Sequence, residues 1–441
     1  MTSLERGLTP KMRPMVSSRP TLVAGLDIGT SKIACLIGRL RPCAPRDALV
    51  GRSHAIDVIG FSHIQSRGVK AGAVVDANEA EQSVRQAVAL AEQMAGVRVE
   101  SVVLSVSAGR IQGQLMEATA ETRGGTVTPN DLSRAMGTTA RHVTGEGRTV
   151  LHALPVGYSL DGVKGIRDPR GMVANQFGIE MNVVTADAAV ARNLMLVVER
   201  CHLNVEAVVA SPYVAGLAAL ADDESALGAA VIEMGAGTTT IAIYSSGRFV
   251  HASGFALGGN HITMDLARGL GACIADAERI KTLYGTVLTG GSDARELMTV
   301  PSAGDHDGDA PQIVSRGKIA NIIRQRAEEI FEMVRDRLAD SPFAADPRGR
   351  VVITGGASQL TGIPELASQI LNRPARIGRP LGLSRLPNEA KGASFAVPAG
   401  LLVYPQFAHL EFTEPQRGRR AATGTDGGYF GKVGRWLREG F

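Results

Sequence analysis

The amino-acid sequence predicts an α/β protein of two lobes, with a small α+β subdomain inserted into the first. Three observations carry this expectation. Strand and helix signals alternate from about Thr21 to Phe412. The chain has 441 residues, and single hydrophobic cores tend to divide beyond about 250–300. A strand–glycine turn–strand pattern, VAGLDIGTSKIACLIG, returns about two hundred residues later as ALGAAVIEMGAGTTTIAIY, as two lobes of common design would require.

The elements follow in order. TLVAGLDIG and KIACLIGRL read as paired strands about a glycine turn, and AIDVIGFSHI as a third. Asp76 caps a helix that runs to about Ala95, with Ala80, Val84, Ala87, Val88 and Ala91 on one face. SVVLSVSAG is a further strand. Beyond about Gly109 the pattern turns polar and irregular as far as Gly178, and the insertion is set at about 98–178. Alternation resumes with the strand MNVVTAD, a helix to about Arg200, the strand VEAVVA, and a helix opened by Ser211-Pro212, where proline suits the first turn. After the second hairpin, residues 285–312 read as loop. A helix over 317–339 carries Ile319, Ile322, Ile323, Ala327, Ile330, Phe331, Val334 and Leu338 at three-and-four spacing. GRVVITGGASQLTGIPELASQI ends the pattern as strand, Gly-Gly turn and helix.

The expected organisation is thus a disordered arm over 1–20 and a first lobe over 21–220 with a return segment at about 385–413. A second lobe spans 221–384, with an outer subdomain at about 270–345. A linker over 414–427 and an amphipathic helix over 428–441 follow.

Composition excludes several classes. Hydrophobic residues make up 44% and charged residues 20%, ordinary for a globular chain and unlike a disordered one. Cys35, Cys43, Cys201 and Cys273 form neither a C-x-x-C pair nor a metal-like spacing, and read as reduced cytosolic thiols. The first twenty residues lack the apolar stretch of a signal peptide. No apolar run approaches the ~18 residues of a spanning helix. The net charge of +4 is uneven: residues 417–438 carry six Lys/Arg and one acid, a net +5, which leaves the remainder at −1. The body therefore offers no broad cationic face for nucleic acid.

The 52 glycines cluster in turns, which favours close backbone approach to a ligand. In Asp27-Ile28-Gly29-Thr30-Ser31-Lys32, between two strands, backbone N–H groups can face phosphate oxygens. Thr30 and Ser31 add hydroxyls, Lys32 adds a charge, and Asp27 can hold a hydrated Mg²⁺. Alone, such a turn is also a plain hairpin. The second turn, from Glu233 through Gly235, Gly237, Thr238 and Thr239, has the same chemistry, and one hairpin per lobe would grip a polyphosphate from both sides. Neither turn is a P-loop or a Rossmann glycine motif. Gly355, Gly356 and Ser358 follow a strand and suit a flat base lying on backbone. Glu278 and Lys281, three apart on one helix, can reach ribose and base, or form a surface ion pair.

The tail has its own pattern. At 100° per residue Phe430, Val433, Leu437 and Phe441 fall together, flanked by Tyr429 and Trp436, while Lys432, Arg435 and Arg438 fall opposite. That arrangement suits a helix lying in the interface of an anionic membrane.

GLDIGTSK, VIEMGAGTTT and VVITGGASQL, in that order, resemble the nucleotide motifs of the actin, Hsp70 and sugar-kinase superfamily. Within it the chain resembles the FtsA family from about Thr21 to Phe441, also through RGVKAGAVVDANEAEQSVRQAV, VTADAAVARNLMLVVERCHLNVEAVVASPYVAGLAAL and the terminal GRWLREGF. The resemblance implies an actin-like (ribonuclease H-like) ATPase fold, with ATP and Mg²⁺ between the lobes. It also implies cell division at the cytoplasmic face of a bacterial membrane, with polymerisation, FtsZ tethering and contact with later division proteins. Arg316, Arg324 and Arg326, in the outer subdomain, become candidates to meet the acidic FtsZ peptide, although each also reads as a solvated arginine.

Two departures bear on catalysis. The family usually has Asp where this chain has Glu233, and usually a glycine where it has Ala236; Thr240 stands where a second acid is common. Phosphoryl transfer depends on positioning, so ATP binding with at most slow hydrolysis is expected, and no catalytic residue is named. A sugar or acid kinase of the same fold would need a base beside a substrate pocket, and nothing marks one. An actin-like pilus-assembly scaffold would lack the amphipathic tail. An Hsp70-type chaperone would need a further β-rich domain.

Overall fold

A computed structural model describes residues 9–15, 18–44, 49, 51–122, 125–142, 145, 147–288, 296–300, 312–346 and 348–411. The linker over 414–427 and the amphipathic segment 428–441 lie outside the described residues.

Two large sheets organise the described residues. The first has six strands in the order Asn204–Ala210, Ser101–Val106, Thr21–Ile28, Lys32–Pro42, His54–Gln65 and Leu383–Ser384. The second has nine, in the order Ala375–Ile377, Arg350–Thr354, Ala229–Met234, Thr239–Ser245, Arg248–Phe255, Gln112–Glu121, Gln176–Asp187, Arg148–Leu160 and Val163–Ile166. Thr21–Ile28 in the first sheet buries Val23, Ala24, Leu26 and Ile28, and Ala229–Met234 in the second is buried throughout.

Helices cover these sheets for readable reasons. Ala77–Ala95 begins at Asp76, whose carboxylate accepts from the Asn78 and Glu79 N–H groups, and ends at the left-handed Gly96. Its buried stripe is Ala80, Val84, Ala87, Val88 and Ala91. Arg316–Ala339 starts at Ser315, which caps Lys318, and buries Ile319, Ile323, Ala327, Ile330, Phe331, Val334 and Leu338 in the second core. Ala396–Val403 is apolar all round, and it is fully buried against the first sheet and the helix Ser211–Ala219.

Three boundaries differ from the sequence expectation. Residues 9–15, expected within a disordered arm, are docked: Thr9 is 1% and Met12 4% exposed. The insertion does not begin at 98, because Ser101–Val106 pairs in parallel with Thr21–Ile28 inside the first sheet. It also runs past 178, since its last strand continues to Asp187. The insertion has its own core around Phe177, Met181 and Val183, yet its sheet joins that of the second lobe through Ser253 opposite Gln112. The chain thus enters the insertion from one lobe and pairs it with the other.

Candidate functional site

The two glycine turns close in the same way. The Gly29 N–H donates to the Lys32 carbonyl at 3.0 Å, and the Gly235 N–H to the Thr238 carbonyl at 2.9 Å. Register extends the equivalence. Ile28 lies opposite Ile33 and Met234 opposite Thr239, so Asp27 and Glu233 hold matching places one residue deeper, opposite Ala34 and Thr240. A local rule of strand, short glycine loop and strand has built the same object in each lobe.

The two loops face each other across a cavity of about 540 Å³ lined by Asp27, Gly29, Thr30, Ser31, Lys32, Glu233, Gly235, Gly237 and Thr238. They meet closely at one point, where a Cβ on residue 237 would lie 2.6 Å from Thr30 Oγ1 and 2.8 Å from Ala71 Cα. Glycine is the residue that permits this approach. Thr30 Oγ1 in turn accepts from the Gly72 N–H at 2.8 Å. The second loop is buttressed from behind by a helix start, with Gly259 N–H donating to the Gly235 carbonyl at 2.9 Å and Asn260 N–H to the Ala236 carbonyl at 2.7 Å.

The floor of the cavity is electrostatically tense. Burial pushes the Glu233 carboxyl up to about 8, and the Asp27 charge adds to this, against the Thr240 hydroxyl and Lys32. Thr240 Oγ1 donates to Glu233 Oε2 at 3.1 Å. Burial raises Asp27 as well, against a 2.5 Å hydrogen bond from Ser105 Oγ and the pull of Lys32. Burial lowers the Lys32 ammonium to about 8, against the attraction of both acids. The Lys32 Nζ is 2.6 Å from the Ser394 carbonyl it donates to, and 3.5 Å from the centre of the Phe395 ring.

At the other end Gly355, Gly356, Ala357, Gln359 and Leu360 line the cavity. Gly355 has φ +90°, and a Cβ there would lie 2.3 Å from the Met234 carbonyl oxygen. Gly356 is open on its cavity side. Glu278 and Lys281 also line this end, and they are paired at 2.6 Å. Lys281 donates besides to the Gly259 carbonyl at 3.1 Å and to Thr263 Oγ1 at 2.8 Å. The two residues thus form an ion pair that faces the cavity. The whole arrangement suits a polyanion against the two loops and a flat group against Gly356.

Some expected site residues do not face the cavity. Thr239 is fully buried, with Oγ1 donating to the Leu257 carbonyl at 2.8 Å, and Ser358 Oγ donates to the Gly355 carbonyl at 2.7 Å. Both hydroxyls are spent on the backbone that shapes the loops. Arg316 pairs with Glu296 at 2.8 Å, Arg324 with Glu328 at 2.7 Å, and Arg326 with Asp265 at 2.6 Å. Phe430, Lys432, Val433, Arg435, Trp436, Leu437, Arg438 and Phe441 lie outside the described residues. Sequence reading missed Ser107, Ser211, Asn260, Ala393 and Ser394, which line the cavity. The Gly258-Gly259 pair opening a helix was the available signal for Asn260; of the others, Ser107 follows a strand, Ser211 opens a helix, and Ala393 and Ser394 lie in a short 3-10 turn, all distant in sequence from the two loops.

A family model described as "Cell division protein FtsA" matches residues 230–400, and one described as "SHS2 domain inserted in FTSA" matches residues 108–185. The cell division protein FtsA of Agrobacterium fabrum is 45% identical over 432 residues, covering 98% of either chain. That of Rhizobium meliloti is 46% identical with the same coverage. That of Escherichia coli is 30% identical, covering 95% of this chain and 98% of the relative. Among solved structures, a PilM-PilN type IV pilus biogenesis complex superposes with a TM-score of 0.59 at 15% identity, covering 87% of this chain and 98% of that one. MreB 5 of Spiroplasma citri bound to AMPPNP gives 0.53 at 14% identity, covering 89% and 97%. These structural likenesses bear on the fold, which is actin-like.

Proposed function

The chain belongs to the FtsA family of cell-division proteins, and on that premise we propose that it binds ATP with Mg²⁺, polymerises on the cytoplasmic face of the cell membrane at the division site and tethers FtsZ filaments there. The single observation that carries the ATP reading is the facing pair of loops, closed alike at Gly29–Lys32 and Gly235–Thr238. They present backbone N–H groups, Thr30 and Ser31 hydroxyls and the Lys32 ammonium to one cavity, while Gly355 and Gly356 offer backbone to a base.

The donor set fits the cation. Burial raises both Asp27 and Glu233, and the Asp27 charge adds to the cost of charging Glu233; a divalent cation held by these two carboxylates would offset that cost. Among the described residues no group of three or more His, Cys, Asp or Glu forms a cage, so the remaining ligands would be water and phosphate. Bound there, Mg²⁺ neutralises phosphate charge. Lys32 and the loop amides orient the polyanion, while Glu278 and Lys281 meet the nucleoside.

The membrane partner is anionic lipid, met by the segment 428–441; no helix among the described residues is long and apolar enough to cross a membrane. The FtsZ C-terminal peptide is taken at the outer subdomain, where it must compete with the carboxylates that already hold Arg316, Arg324 and Arg326. Contact with later division proteins follows from the same membership. Co-pelleting with FtsZ on anionic vesicles, with and without ATP, tests the reading. Retention of FtsZ that needs this protein and ATP supports it; FtsZ left in the supernatant under every condition overturns the tether.

A further inference from the structure

Ahead of the first strand, a short stretch of chain is held by three separate parts of the fold. The Thr9 N–H and Oγ1 both donate to the Val150 carbonyl, at 3.3 and 3.0 Å. The Pro10 carbonyl accepts from the Val208 N–H at 3.3 Å, on the outer edge of the six-stranded sheet. Lys11 Nζ donates to the Leu151 carbonyl and pairs with Glu411 at 2.9 Å. Met12 enters the first core.

The pair is deeply set, with side-chain exposures of 12% for Lys11 and 1% for Glu411. His152 completes it. Its Nε2 accepts from the Ala210 N–H at 2.9 Å, so the ring proton sits on Nδ1 and is donated to Glu411 Oε1 at 2.8 Å. Tyr213 and Tyr404 pack edge-on against the fully buried imidazole. The imidazole is thus a neutral bridge, and Lys11 is the counter-charge of Glu411. With Glu411 and His152, it makes the most buried ionic cluster among the described residues.

We infer that Thr9–Met12 is a clamp that fixes the C-terminal end of the described fold, at Glu411, to the root of the inserted subdomain at Val150–His152. His152 already hydrogen-bonds Glu411 directly, and the Lys11 charge adds an ionic tie between the same two places through Leu151 and Glu411. Whatever follows residue 411 then leaves from the base of the insertion, and releasing the clamp loosens both at once.

Hydrogen exchange on the full chain tests this. A buried ion pair stripped of one partner leaves an uncompensated charge, whereas removal of both partners leaves none. Lys11→Met is therefore expected to speed exchange roughly tenfold or more in peptides covering 148–154 and 404–411 together, with peptides 27–32 and 233–238 unchanged. The double variant Lys11→Met/Glu411→Gln is expected to recover most of the protection. Lys11→Arg keeps the charge and should retain it, which preserves the test if Lys11→Met does not fold. Losses that simply add in the double variant, loss in Lys11→Arg equal to that in Lys11→Met, or loosening confined to residues 9–12 would overturn the clamp.

Discussion

Gly237 of the second loop lies against Thr30 of the first, so closely that a methyl group on residue 237 would stand 2.6 Å from the Thr30 hydroxyl oxygen. The lobes thus touch through a hydroxyl on one side and a bare backbone on the other. Gly237→Val has no room without parting the loops or tilting Thr30 away from the Gly72 N–H. We expect it to weaken a fluorescent ATP analogue at least tenfold, ~1.4 kcal/mol, in a folded protein. Wild-type affinity in that variant would refute a cleft gripped from both sides.

Hydrolysis is expected to be slow. Glu233 carries its carboxylate one methylene further than an aspartate would, and the donor it meets is Thr240, a hydroxyl with no base strength. Ala236 adds a methyl at a position of the cavity lining where the family usually has glycine. Glu233→Asp with Ala236→Gly should leave nucleotide affinity within a few-fold and raise turnover if it changes it at all. A wild-type rate within the ~1–100 s⁻¹ of dedicated kinases would contradict the argument.

Much of this site was legible because its rules are local. In each lobe the acid, its glycine turn and its flanking strands fall within a few residues of one another, and Asp76 or Ser315 caps the helix that immediately follows it. What sequence could not supply was the destination of side chains. Thr239 and Ser358 look like phosphate or ribose donors, but each spends its hydroxyl on a nearby carbonyl. The Lys11–Glu411 pair joins residues four hundred apart, and the insertion pairs with the lobe it does not interrupt. Neither relationship has a periodicity to betray it.

Acid should weaken the clamp through two groups of the same sign. Burial holds His152 below its ordinary 6.5, against the attraction of Glu411, so the unfolded chain binds this proton more readily and stability falls as pH drops through about 6.5. Burial would raise Glu411, but His152 and Lys11 outweigh it and bring the carboxyl down to about 2, from 4.5. Its contribution is complete above 4.5 and fades as pH falls towards 2. Thermal unfolding midpoints should therefore decline below pH 6.5 and decline again below 4.5. His152→Gln, which can still bridge Ala210 and Glu411, should flatten the first decline. A midpoint flat from pH 7.5 to 5 in the wild type would exclude a buried neutral imidazole.

The tail is the last test, and its case rests on sequence. Residues 428–441 lie outside the described residues, after a linker rich in Gly, Thr and Arg that lets the body stand off a surface. If the segment is helical, Phe430, Val433, Leu437 and Phe441 fall on one face with Trp436 beside them, an apolar strip that would suit the acyl boundary. Lys432, Arg435 and Arg438 occupy the other face, and each is worth ~1 kcal/mol beside anionic headgroups. Gly431, Gly434 and Gly440 each weaken the isolated helix by up to ~1 kcal/mol, so the segment should fold on the lipid rather than before it. The rival arrangement packs the strip on the protein's own body. The two differ in a flotation assay. Deleting 428–441, or Trp436→Glu, should release the protein from anionic vesicles while ATP binding stays within twofold of the wild type. Raising salt should weaken the intact protein's attachment, because three of its contacts are ionic. A truncated chain that still floats would put the anchor elsewhere in the molecule.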